Sequence, residues 1–134
     1  MEPVKIVLRY VDGKVIKGYT QDFFPNKALF HFSSLDKEPQ DKESEVYVKD
    51  LKAVFFVRDF NGNPEYNERK QYIEGEKPGG RKVEVVFFDD EMLAGSTMGY
   101  DPNRPGFFLF PVDPQSNNLR VFIITAAIKT FQYI

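Results

Sequence analysis

Cysteine and tryptophan are absent from this chain of 134 residues, and histidine occurs once. The lack of cysteine excludes disulfides, thiol catalysis and cysteine metal sites. No run of about eighteen apolar residues occurs, so no membrane span is expected. The segment Met1-Glu2-Pro3-Val4-Lys5 lacks the apolar core of a signal peptide, which suits the cytoplasm. A basic tract is missing too: the net charge is −2, with acids and bases mixed, so no long nucleic acid is expected as a partner. The chain is rich in aromatic surface, with 14 Phe and 7 Tyr, a large supply of core and contact area.

The chain also repeats itself. Lys5–Val57 lies over Lys82–Ile134 without gaps, at an offset of 77 residues. Asp12 falls on Asp89, Gly18 on Gly95, Thr20 on Thr97, Pro25-Asn26 on Pro102-Asn103, Phe30 on Phe107 and Asp36 on Asp113. Alternating apolar residues match as well: Ile6, Leu8 and Tyr10 fall on Val83, Val85 and Phe87. Alternation with period two marks half-buried strands. Asp12-Gly13 is a hairpin signal, and Asp89-Asp90 is a poorer turn at the matching place. The pattern predicts five short strands per copy: 4–11, 14–20, 28–33, 45–48 and 52–57, and their counterparts. The expected fold is mainly β, two tandem five-stranded small barrels of SH3-like or Sm-like type, packed together. Residues 1–58 form the first repeat, 59–81 a linker and 82–134 the second repeat. Asn63-Pro64 predicts a short linker helix running to about Tyr72. Gly75 and Lys77-Pro78-Gly79-Gly80 then predict a flexible stretch.

Hairpin, short strand, strand, brief turn, strand is an order that resembles the Sm-like small barrels. Val121-Phe122-Ile123-Ile124-Thr125-Ala126-Ala127-Ile128 is similar to the last two strands of that pattern. Sm-like proteins bind RNA through loop residues with no counterpart here, so none is carried over. The second copy also resembles an uncharacterised domain of bacterial signalling proteins, sometimes found near PilZ domains. The residues that carry this likeness are Gly99-Tyr100-Asp101-Pro102-Asn103-Arg104-Pro105-Gly106-Phe107-Phe108, then Asp113, Ser116-Asn117-Asn118 and Arg120. That family has no established activity. The PilZ signature of an Arg-rich segment and Asp-x-Ser-x-x-Gly is missing, so its cyclic-dinucleotide ligand is not implied.

No catalytic, cofactor or metal constellation stands out. His31, between Phe30 and Phe32, reads as a strand residue rather than a base. Asp89-Asp90-Glu91 reads as a solvated turn. Only the second copy continues its Pro-Asn turn as Arg104-Pro105-Gly106, and only it carries Ser116-Asn117-Asn118 and Arg120. Asn103, Asn117 and Asn118 with Arg104 and Arg120 could hold an anion or backbone carbonyls. The alternative is that Arg104 pairs with Asp101 or Asp113 while the Asn residues serve turns.

Side chains alternate across a strand. If Phe30 and Phe32 point inward, the outward pair in copy two is Phe108 and Phe110. In copy one the outward aromatic residue is Phe55, where copy two has Gln132. Either these patches cover each other, or Phe108 and Phe110 form a partner or dimer surface. The expected function is therefore a non-catalytic bacterial binding or adaptor domain engaging another protein in signalling, or forming a homo-oligomer, without a cofactor. The alternative is a small-nucleotide or RNA binder, with aromatic rings stacking bases and Arg104 and Arg120 meeting phosphate.

Overall fold

The computed structural model describes residues 2–38 and 40–134. Among these, ten strands form one antiparallel sheet: β1 (Val4–Tyr10), β2 (Val15–Thr20), β3 (Leu29–Ser34), β4 (Ser44–Tyr47), β5 (Leu51–Val57), β6 (Arg81–Phe87), β7 (Met92–Thr97), β8 (Gly106–Pro111), β9 (Asn118–Ile124) and β10 (Ile128–Tyr133). Their spatial order is β10-β6-β7-β8-β9-β5-β1-β2-β3-β4. The strands expected from the alternation are present. The two closed barrels are not.

In neither half do the fourth and fifth strands pair with each other. A three-residue 3-10 turn, Val48–Asp50 in the first half and Thr125–Ala127 in the second, separates those strands. The strands diverge instead of pairing. β5 pairs on one edge with β1 and on the other with β9, opposing Ala53 to Ile123, Val54 to Phe122, Phe55 to Val121 and Phe56 to Arg120. The sheet is thus open and continuous through both halves.

Within each half the pairing is the same. The order β5-β1-β2-β3-β4 recurs as β10-β6-β7-β8-β9. Loop bonds recur at the same offset: the Val48 N–H donates to the Ala28 carbonyl at 2.9 Å, and the Thr125 N–H to the Pro105 carbonyl at 2.9 Å. The first hairpin uses Gly13 at φ +93°, and the second places Asp90 there at φ +70°. Both close with the same bond, from Tyr10 N–H to Lys14 and from Phe87 N–H to Glu91. An aspartate tolerates this left-handed conformation better than most residues.

Residues directly opposed in a ladder share a face of the sheet. One face collects Ile6, Leu8, Phe30, Phe32, Val46, Val54 and Phe56, the core of the first half. The other collects Val83, Val85, Phe87, Phe107, Leu109, Val121 and Ile123, the core of the second. The register carries Phe108 and Phe122 of the second half onto the first core. There they surround Phe23 with Phe56, at ring separations of 5.1 to 6.3 Å. Conversely, Phe55 and Ala53 of the first half face the second core. Hence every residue of β5 is buried. The apolar patch at Phe108 is covered from within the chain, whereas Phe110 stays 39% exposed.

The connection between the halves contains no helix. Asn63 caps only a single turn, its side chain accepting from the Glu65 N–H and its carbonyl from the Tyr66 N–H. The Arg69 N–H, which a helix would direct to residue 65, donates to the Asp113 carboxylate at 3.0 Å. That carboxylate also accepts from the Tyr66 hydroxyl at 2.5 Å and the Gln115 N–H at 2.8 Å. Arg58 donates to the Ser116 and Pro114 carbonyls, and Arg69 forks onto Glu76. The segment expected to be helical is instead laced to the loop before β9.

Phe122 is 1% exposed and belongs to the β9 ladder while filling the first core. Phe122→Ala is therefore expected to cost about 3–5 kcal/mol. Because each core contains side chains of the other half, urea unfolding should remain one transition by both tyrosine fluorescence and far-UV circular dichroism. Two separated transitions would show that the halves unfold independently.

Candidate ligand cleft between the two halves

The turns that end β4 and β9 lie close together, and the β7–β8 loop folds beside them. Between them opens a cleft of about 670 Å³. From the first half come Ala28, Tyr47, Val48 and Lys49. From the second come Pro102, Asn103, Arg104, Pro105 and Ile124–Ala126. The β7–β8 loop is shaped by Asp101, whose side chain accepts from the Asn103 N–H at 2.9 Å and whose carbonyl accepts from the Arg104 N–H at 3.1 Å. This turn holds Asn103 and Arg104 at the rim. Arg104 Nε lies 3.8 Å from the Asp101 carboxylate, and both side chains are largely exposed. Such an exposed pair is weak, so the guanidinium is free to meet a ligand. Lys49 makes no salt bridge among the described residues. The Tyr47 ring is 42% exposed.

On the other side of Arg104 lies a second, more apolar groove of about 560 Å³. Met98, Tyr100, Phe108 and Phe110 line it, with Pro25 from the first half. Tyr100 is held rigid by stacking on Phe131, with ring centroids 3.8 Å apart. Met98 is 77% exposed.

The sequence-derived candidates do not form one cluster. Asn103 and Arg104 come together in the cleft. Phe108 and Phe110 line the apolar groove, Phe108 half-buried and Phe110 exposed. Arg120 opposes Phe56 at the far end of β9, its guanidinium 4.5 Å from the Phe56 ring and 4.4 Å from the Phe108 ring. Burial pushes its pKa down. Asn117 and Asn118 do not join the arginines. Asn117 exchanges bonds with the Asp59 backbone, donating from Nδ2 at 2.8 Å and accepting from the N–H at 3.1 Å. Asn118 is a ladder residue opposite Val57. The single anion site of Asn and Arg residues is therefore not assembled. Tyr47 and Lys49 were missed because the first copy served only as the contrast for the second. The signal was there: Val48–Asp50 and Thr125–Ala127 match at the repeat offset.

Two further charge sets are structural. The Asp89-Asp90-Glu91 turn is not merely solvated. Lys52 of β5, its side chain 6% exposed, bonds the Asp89 carboxylate at 2.7 Å and also Glu91. Its ammonium lies 4.6 Å from the Phe87 ring centroid, and Arg9 reaches Glu91 at 3.2 Å. Burial alone pushes the Glu91 carboxyl up, but Lys52 and Arg9 together hold it below its ordinary value. His31 is a β3 residue whose Nδ1 lies 2.6 Å from the Asp22 carboxylate. That hydrogen bond raises the imidazole pKa. No hydroxyl is bonded to the ring among the described residues, and no three acidic or histidine side chains converge on one point there.

An all-antiparallel β protein with an inter-half cleft is the class that this fold and geometry define. The chain belongs to a family of unknown function (DUF6982), whose model matches residues 2–134 in one unbroken stretch. No curated protein and no solved structure matches it.

The pH dependence of stability follows from these pairs. Asp113 and Glu76 are both drawn down to about 2, Asp113 chiefly by the Arg69 N–H and Glu76 by the Arg69 guanidinium. A depressed carboxyl contributes stability that is complete above its ordinary range and lost as pH falls toward the folded value. Stability should therefore drop between about pH 4 and pH 2, and Asp113→Asn should flatten part of that drop. The raised His31 behaves oppositely, its contribution being present below 6.5 and lost as pH rises through the folded value. His31→Gln should remove a decline above that pH in urea titrations. An unchanged profile in both variants would contradict the assignment.

Proposed function

We propose that this protein is a non-catalytic binding module, and that its partner is a segment of another protein with an acidic group beside an apolar side chain. One observation carries this reading: Lys49 and Arg104, from opposite halves, line one cleft, and an aromatic groove adjoins it across Arg104. The acidic group of the segment would sit between the two cations, and its apolar side chain between Met98, Tyr100 and Phe110. Charge-assisted hydrogen bonds of this kind are worth about 1.5–3 kcal/mol each.

A small nucleotide is the second reading, favoured by the exposed Tyr47 ring beside the same cations. Rings of this kind stack bases, at about 1–3 kcal/mol per base. We further propose that the two halves descend from a duplicated Sm-like unit. The shared strand order and the matching 3-10 turns support this. A place in bacterial signalling rests on the sequence likeness of residues 99–120.

The two ligand classes are separated by calorimetry with acidic–aromatic peptides and with nucleotides. Lys49→Ala and Arg104→Ala should each weaken either ligand about tenfold. Phe110→Asp should weaken the peptide and leave the nucleotide unchanged. Absence of binding by both classes would sink the cleft as a site. Turnover of any substrate, abolished by one acidic substitution, would sink the non-catalytic reading.

A further inference from the structure

The sheet has two free edges, and they are the two halves of an interface the chain already makes once. At its centre the fourth strand of the second half, β9, pairs with the fifth strand of the first half, β5. The sheet ends on β4, the fourth strand of the first half, and on β10, the fifth strand of the second. Among the described residues β4 pairs only with β3, and β10 only with β6. We infer that β4 of one molecule pairs with β10 of a second copy of this chain, head to tail, in the register of the β9–β5 junction.

The register makes the inference specific. Transferring the junction pairs by the repeat offset opposes Thr130 to Val46, Phe131 to Glu45, Gln132 to Ser44 and Tyr133 to Glu43. Side-chain chemistry at these positions is complementary and more polar than at the junction. Phe55 and Val121, apolar at the centre, become Gln132 and Ser44, which can hydrogen-bond. Arg120 on Phe56 becomes Glu43 on Tyr133, and the Tyr133 ring already carries the Arg81 guanidinium at 3.8 Å. Arg81 forms no salt bridge among the described residues. The cation that the junction takes from the fourth strand is supplied here from β6, and the fourth strand brings the anion. Ser44, Glu45, Thr130, Gln132 and Tyr133 are all exposed, so backbone and side chains are accessible for pairing. An unpaired strand edge is a template for another strand. Because the contact joins two different edges it is heterologous, closing into a ring or extending as a filament. The polar pairs make it weaker than the apolar junction and hence dependent on concentration.

The lack of cysteine allows a clean test in the full chain. Ser44→Cys and Gln132→Cys are prepared as separate proteins, mixed, and bridged with a short bis-maleimide. The expected result is a covalent dimer from the mixture and little or none from either variant alone. In a second arm, sedimentation of the unmodified chain should show mass rising with concentration. Glu43→Arg or Arg81→Glu alone should shift that rise at least tenfold higher, and the two combined should restore it. All four positions are exposed, and thermal melts check that each variant folds. Cross-linking within one variant, or a constant monomer mass to millimolar concentration, would overturn the inference. The charged residues would then serve to blunt the two edges.

Discussion

Everything in this molecule depends on the pairing of β5 with β9. A fifty-residue β unit alone buries too little apolar surface to be more than marginally stable. Here neither half completes its own core. The first core receives Phe108 and Phe122 from the second half, and the second receives Ala53 and Phe55 from the first. Backbone hydrogen bonds of the junction and aromatic burial on both of its faces act together. This is why β5, alone among the strands, is buried at every residue.

The same junction positions the cleft. Bringing β9 beside β5 brings the turns at their ends together, and the β7–β8 loop follows through the Thr125–Pro105 bond. Lys49 and Arg104 line one cleft across the boundary as a result. The buried Lys52, held by Asp89 and Glu91, and the lacing of residues 58–69 onto residues 113–117 fix the same boundary at two other places. A cleft built from both halves therefore rests on an interface braced on several sides. Preorganisation of that kind lowers the cost of binding.

Much of the strand layout was legible in the sequence because alternation, Asp-Gly and Pro-Asn signals act locally. The inward pointing of Phe30, Phe32, Phe107 and Leu109 followed from the same period of two. What was not legible was which edge each strand would choose. The apolar run at 51–57 reads equally as a strand closing its own barrel or as one shared between two cores, since both fill both faces. The linker failed for another reason. Asn63-Pro64 is a sound helix start, but a helix needs the Arg69 N–H, and a carboxylate 44 residues away takes it. Asn117 resembled a ligand group because an amide that ties two loops has the same chemistry as one that holds an anion.

The contrast between equivalent positions shows where one sequence pattern was adapted to two surroundings. At the centre the paired strands carry Val54, Phe55, Phe56, Val121 and Phe122. At the free edges their counterparts are Phe131, Gln132, Tyr133, Ser44 and Glu45. The inward pairs Val46 with Ile123 and Phe131 with Val54 stay apolar, since each half still needs its own core, whereas Ser44 at the free edge stands where Val121 is buried. Outward residues change, because only at the centre does the outer face meet another core. The side of Phe55 therefore became apolar on β5 and polar on β10, while Phe108 stands where the first half has the half-exposed His31. Burial, rather than strand propensity, decided each of these choices.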